Sequence, residues 1–87
     1  MAKYSLTFKK SVTKDLRVIP NIDVSRILNK IEQLAENPRP QGYTKLTGNE
    51  KYRVRQGSYR IIYEIKDAVL IINVIKVAHR SSVYNST

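Results

Sequence analysis

Cysteine is absent and histidine occurs once, as His79. That excludes a disulfide scaffold, a thiol nucleophile, a Cys-ligated metal and any multi-histidine metal centre or histidine-pair nuclease. Long apolar runs and a signal-type N-terminus are also missing, so the sequence predicts neither secretion nor a membrane span, and a cytoplasmic protein. Acidic residues are scarce: 7 Asp plus Glu face 16 Lys plus Arg, a net charge of +9 on 87 residues. The hydrophobic fraction, 41%, suits one modest core and is too high for a disordered tail. The expectation is a single domain over residues 1–87.

So large a surplus of one sign repels itself unless an anion compensates it. The segment from Lys51 to Arg60 holds four cations, Lys51, Arg53, Arg55 and Arg60, and no acid. Three of them are arginines, whose planar fork grips phosphate oxygens in a way lysine cannot. RNA or DNA is one partner that fits this pattern; an acidic protein is another.

Along the chain, residues 4–8 alternate as a short strand. Residues 9–19 read as a helix, with Val12, Leu16 and Ile19 at helical spacing, broken by Pro20-Asn21. A second helix starts near Asn21 or Asp23, either of which could cap it. Val24, Ile27, Leu28, Ile31, Leu34 and Ala35 form its apolar stripe, and Asn37-Pro38-Arg39-Pro40 ends it. Residues 41–50 read as a loop. From Lys51 the period switches to two: strands at 52–55 and 59–65, then a nearly continuous apolar strand at 69–77, which belongs inside the sheet. The order β-α-α-β-β-β predicts an α+β fold, a helical hairpin packed on one face of a small, largely antiparallel four-stranded sheet.

Gly57-Ser58 suits a two-residue hairpin turn with glycine at the first central position. Arg55 then faces Arg60, and Arg53 and Arg55 share with Arg60 the face opposite Tyr52, Val54, Tyr59, Ile61 and Tyr63. Side chains directly across a sheet stand about 5 Å apart at Cβ. Two cations at that distance repel by about 1 kcal/mol in water and about 3 at an effective dielectric of about 20. Such a pair is poor design for stability and sensible where a phosphate lies between them; the plainer reading is arginines splayed into solvent. The tyrosines are assigned to the core. Beyond the last strand, His79, Arg80 and Tyr84 fall within six positions. If that end neighbours the hairpin, cations, an imidazole and a phenol gather into a plausible phosphodiester site. No carboxylate pair for a two-metal mechanism is visible, which favours a route free of metal and cofactor.

The run from Tyr52 to Ile65, a last strand ending Val77-Ala78-His79-Arg80, the following Val83-Tyr84, and the upstream Pro40, Lys45-Leu46 and Gly48 resemble the RelE/ParE superfamily of type II toxins, and its RelE branch more than its ParE branch. The resemblance implies a RelE-like fold and a ribosome-dependent mRNA endonuclease, neutralised by a cognate acidic antitoxin. It implies attack of a ribose 2′-hydroxyl on the adjacent phosphate, giving a 2′,3′-cyclic phosphate and a 5′-hydroxyl. By position, Arg60 matches the arginine that stabilises the transition state, Arg80 the arginine of the last strand, and Tyr84 the C-terminal tyrosine. Lys51, Arg53 and Arg55 are expected to bind phosphates, with ribosome and mRNA as partners. Arginine stays protonated, so Arg53 and Arg55 cannot act as bases. His79 or Tyr84 is left for the 2′-hydroxyl proton: an imidazole suits transfer near neutrality, and a phenol does so when nearby cations lower its pKa. The alternative implied function is a ParE-like, non-catalytic inhibitor of DNA gyrase.

Overall fold

The computed structural model describes residues 3–46 and 50–81. In chain order these form β1 (Ser5–Phe8), α1 (Ser11–Arg17), α2 (Asn21–Glu36), β2 (Thr44–Lys45), β3 (Lys51–Gln56), β4 (Tyr59–Lys66), a 3-10 turn (Asp67–Val69) and β5 (Ile71–His79). The strands make one five-stranded sheet in the order β1-β5-β4-β3-β2, with β1 parallel to β5 and the other pairs antiparallel. The α+β class and the largely antiparallel sheet agree with the sequence reading, but the strand count is five, not four. The additional strand, β2, lies inside the segment read as a loop. A two-residue strand has no periodicity of its own and exists only because β3 supplies its pairing edge.

The helices cover one face of the sheet. α1 lies against β5, and α2 crosses β1, β3, β4 and β5. Val12 and Ile19, the stripe Ile27, Ile31 and Leu34, and the sheet residues Tyr52, Val54, Ile61, Tyr63, Ile65, Ile72, Val74 and Val77 meet in one buried cluster. Leu28, counted in the stripe, is instead 38% exposed. It follows Ile27 by one residue, and about 100° of rotation carries it off the buried side. Neither Asn21 nor Asp23 caps α2. Pro20 occupies the cap position, and its carbonyl accepts from the N–H groups of Asp23 and Val24 at 2.9 and 3.0 Å. Asp23, in the first turn, still complements the positive end of the helix.

At the end of the sheet away from the β3–β4 turn, polar side chains hold the connections together. Arg39 and Tyr4 donate to the two oxygens of Asp67, at 2.9 and 2.6 Å. The Tyr63 hydroxyl donates to the Pro38 carbonyl at 2.7 Å. Arg39 also lies over the Tyr52 ring, which stacks on Tyr63. These bonds tie the segment after α2 to the sheet's inner face.

Among the described residues no helix is long and apolar enough to cross a membrane.

Candidate anion-binding face of the sheet

The hairpin between β3 and β4 has the register expected from its turn. Gln56 faces Tyr59, Arg55 faces Arg60, Val54 faces Ile61 and Arg53 faces Ile62. Gly57 has φ +61° and Ser58 does not share the positive φ, the pattern of a turn that needs glycine first. Strand alternation then puts Tyr52, Val54, Ile61 and Tyr63 under the helices and Arg53, Arg55 and Arg60 on the opposite face of the sheet.

That face is ordered in rows across the strands. The row nearest the turn is Arg55, Arg60 and Ala78. The next is Thr44, Arg53, Ile62 and Lys76. The third is Lys51, Glu64, Asn73 and Thr7. Among the described residues the only ion pair is Arg39 with Asp67, on the far side of the sheet, so Lys51, Arg53, Arg55, Arg60 and Lys76 pair with no carboxylate there. The Nε of Arg60 is buried and has no hydrogen-bond partner among the described residues. The Arg53 guanidinium is held below its ordinary pKa, first by burial and then by the charges of Arg60 and Arg55. An anion seated across these side chains would satisfy the Nε and relieve the repulsion together.

The last strand departs from the expected site. β4 and β5 pair regularly from Lys66 with Ile71 to Tyr63 with Val74, and again from Ile62 with Lys76 to Tyr59 with His79, with a bulge between. Ile75 is the extra residue. In an unbroken strand Ile72 and Val74 would point inward and His79 outward, onto the arginine face. The bulge reverses the parity. Val77 therefore points inward, Lys76 and Ala78 join the arginine face, and His79 turns to the opposite side. There its ring meets Tyr59 edge-on at 5.5 Å and helps line an open concavity of about 400 Å³ beside α1 with Asp15, Ile19 and Tyr59. The expected gathering of His79 with the hairpin arginines is thus not formed. Its Nδ1 accepts from the Ser81 N–H at 3.1 Å and lies 2.8 Å from the Ser81 hydroxyl, so the neutral ring carries its proton on Nε2.

Arg80 follows directly. Its N–H donates to the Ser58 carbonyl at 2.8 Å, which fixes the end of β5 beside the hairpin turn. Beyond Phe8, where β1 has ended, Asp15 of α1 accepts from the Val77 N–H at 3.0 Å and steadies the strand just after its bulge. Tyr84 lies outside the described residues. Lys76 was not recognised in the sequence. The available signal was the odd spacing of Asn73 and Lys76, the two polar interruptions of an apolar strand, which share a face only if a bulge separates them. Among the described residues no cluster of three His, Asp or Glu side chains is placed to hold a metal ion.

The model of the family described as ParE toxin of type II toxin-antitoxin system, parDE, matches residues 6–84. The chain belongs to the RelE/ParE family of type II toxins. A Methanocaldococcus jannaschii relative bearing the name of a RelE1 toxin is 31% identical over 90 residues, 97% of this chain and 98% of its own. RelE in the archaeal RelE-RelB complex of Pyrococcus horikoshii is 29% identical and superposes with a TM-score of 0.81, over 93% of this chain and 99% of its own. A mutant of E. coli toxin RelE in the free state gives 27% identity and a TM-score of 0.77, covering 95% and 88%.

Proposed function

We propose that this toxin is a metal-independent endoribonuclease that cuts mRNA on the ribosome in the cytoplasm and so halts translation. The observation that carries the reading is the outer sheet face. Arg55 and Arg60 stand directly opposite, Arg53 and Lys76 flank them, and none has a carboxylate partner among the described residues. Repelling charges of this kind are kept where a phosphate is to be held, and they are best placed where charge develops in the transition state.

In this reading the ribose 2′-oxygen attacks the adjacent phosphorus as its proton leaves. The new bond is 2′-O–P, the bond broken is P–O5′, and the products are a 2′,3′-cyclic phosphate and a 5′-hydroxyl that gains a proton. Arg60 donates to the non-bridging oxygens, Lys51, Arg53 and Arg55 hold flanking phosphates, and Arg80, anchored beside the turn, adds charge at the same end. Arginines supply no base at working pH. His79 faces away from them, so the 2′-hydroxyl proton is assigned to Tyr84, and His79 becomes a residue that packs on Tyr59.

The partner that holds such a protein inactive is proposed to be a cognate acidic antitoxin, attracted at long range by the charge of +9. RelB occupies that place in the complexes of the similar Pyrococcus horikoshii and E. coli toxins. The matching family model carries the ParE description, which favours inhibition of DNA gyrase as the second reading.

One experiment separates the two. Arg60→Ala, which points away from the core, should fold and cut ribosome-bound mRNA more slowly by about 10²- to 10³-fold in a single turnover, the usual loss for one preorganised oxyanion donor. A folded Arg60→Ala cutting at the wild-type rate, or a wild type that cuts nothing on translating ribosomes and elicits DNA-damage signalling in cells, would overturn the ribonuclease reading in favour of gyrase.

A further inference from the structure

The third row of the outer face has a different chemistry from the first two. Glu64 is its acid, and among the described residues it is the only carboxylate that the strands present on this face. It stands opposite Lys51 and on the same strand face as Arg60, yet it forms no ion pair with any cation among the described residues. Instead its Oε1 accepts from Asn73 Nδ2 at 3.1 Å, and Asn73 Oδ1 in turn accepts from the Thr7 hydroxyl at 2.9 Å. Donation runs one way, from Thr7 to Asn73 to Glu64. The chain of bonds fixes which way the Asn73 amide is turned and ends at the carboxylate. The second carboxylate oxygen, Oε2, has no partner among the described residues.

A cation-rich face explains arginines and lysines; it does not explain a carboxylate held off them by an oriented amide. A lone acid beside a phosphate track repels the backbone it neighbours, so it is tolerated where it meets a part of the ligand that donates hydrogen bonds. The distance fits. Glu64 is four residues along β4 from Arg60, about 14 Å at about 3.4 Å per residue. That is within a short single strand whose phosphates lie on Arg55 and Arg60. Single-stranded RNA is read by sequence through the exposed edges of its bases.

We infer that Glu64, oriented by Asn73 and Thr7, is a base-reading residue of this toxin, accepting a hydrogen bond from the exocyclic amino group of adenine, cytosine or guanine and discriminating against uracil. A carboxylate only accepts, and uracil offers one N–H flanked by two carbonyl oxygens, which a carboxylate repels. The inference rests on the ribonuclease reading above and adds to it a position of substrate selection.

The test is a cleavage map. A pool of mRNAs with randomised codons is translated in a purified system with the full-length toxin, and base frequencies are counted at each position around the cuts. Wild type should disfavour uracil about ten-fold at one position near the scissile bond, the scale of a good side-chain-to-base contact. Glu64→Gln keeps an oxygen to accept from Asn73 and turns an amino donor outward, so it should erase that bias or reverse it toward uracil. Thr7→Val, at an exposed site, should weaken the bias in the same direction and reads the same quantity should Glu64→Gln fail to fold. Cutting by wild type with no bias against uracil, an identical base distribution in the variants, or a change in overall rate alone would overturn the inference and leave the ribonuclease reading standing. A variant that loses capture by the antitoxin while keeping its base distribution would assign Glu64 to a protein interface and likewise overturn it. Absence of any cutting by wild type would remove both readings.

Discussion

Replacing Arg60 by Met should make the free toxin more stable while making it a poorer enzyme. The substitution keeps an unbranched stem of similar reach and removes the guanidinium. Two effects act in the same direction. The first is relief of charge: Arg55 and Arg60 are direct cross-strand partners, and Arg53 lies diagonally beside them. At about 5 Å the repulsion is about 3 kcal/mol at an effective dielectric of about 20 and about 1 in water. Long side chains splay apart and are screened, which leaves a gain of about 1 kcal/mol. The second is removal of the buried, unpartnered Nε, a group whose desolvation costs about 1–3 kcal/mol when unsatisfied. For a chain of this size a gain of about 1 kcal/mol raises Tm by about 4–8 °C. The assay is thermal and urea unfolding followed by circular dichroism at about 0.01 M and about 1 M salt, where the screening length is about 30 Å and about 3 Å. The charge contribution should shrink with salt and the Nε contribution should persist. Adding Arg55→Met to Arg60→Met should give less than Arg55→Met gives alone, because the direct cross-strand repulsion is already gone and only the repulsion of Arg55 with Arg53 is left to relieve. Arg60→Met no more stable than wild type at low salt, or a gain that grows with salt, would refute the argument that this face carries uncompensated repulsion.

Two further outcomes are expected. Arg53→Gln and Arg55→Gln should each weaken binding to single-stranded RNA and reduce the slope of log affinity against log salt by about one counterion, read by fluorescence anisotropy across a salt series; an unchanged slope would mean the side chain only splays into water. Asp67 is held below the ordinary carboxylate range, first by the hydrogen bond from Arg39 and then by that from Tyr4. A lowered folded-state pKa adds stability that is present above the unfolded carboxylate value of about 3.9 and is lost as the pH falls through the folded value. The drop in urea midpoint between pH 7 and pH 3 should therefore be smaller in Asp67→Asn than in wild type, and an equal drop would assign the acid sensitivity to other carboxylates.

Much of this protein is legible in short stretches of its sequence, because the physics involved is local. Gly57-Ser58 fixes a two-residue turn, the turn fixes the register of β3 and β4, and alternation from that register places Arg53, Arg55 and Arg60 on one face and the tyrosines on the other. The α2 stripe and its Asn-Pro-Arg-Pro stop are equally local, and only Leu28 at its margin was misread. The resemblance that identified the family rests on the same hairpin and on the end of β5. Other features depend on partners distant in the chain. β2 is a strand only because β3 is beside it. Tyr4 and Arg39 meet Asp67 across separations of 63 and 28 residues. In β5, apolar residues point to both faces, so hydrophobicity carries no parity signal there. The bulge at Ile75 is defined only by pairing with β4, and that single inserted residue sends His79 away from the arginines and brings Lys76 to them. Local sequence set which residues carry the charge and put the three hairpin arginines on one face; long-range strand pairing decided that Lys76 joins them and His79 does not, because a side chain's direction along a mostly apolar strand is fixed by its neighbours in the sheet and not by its neighbours in the chain.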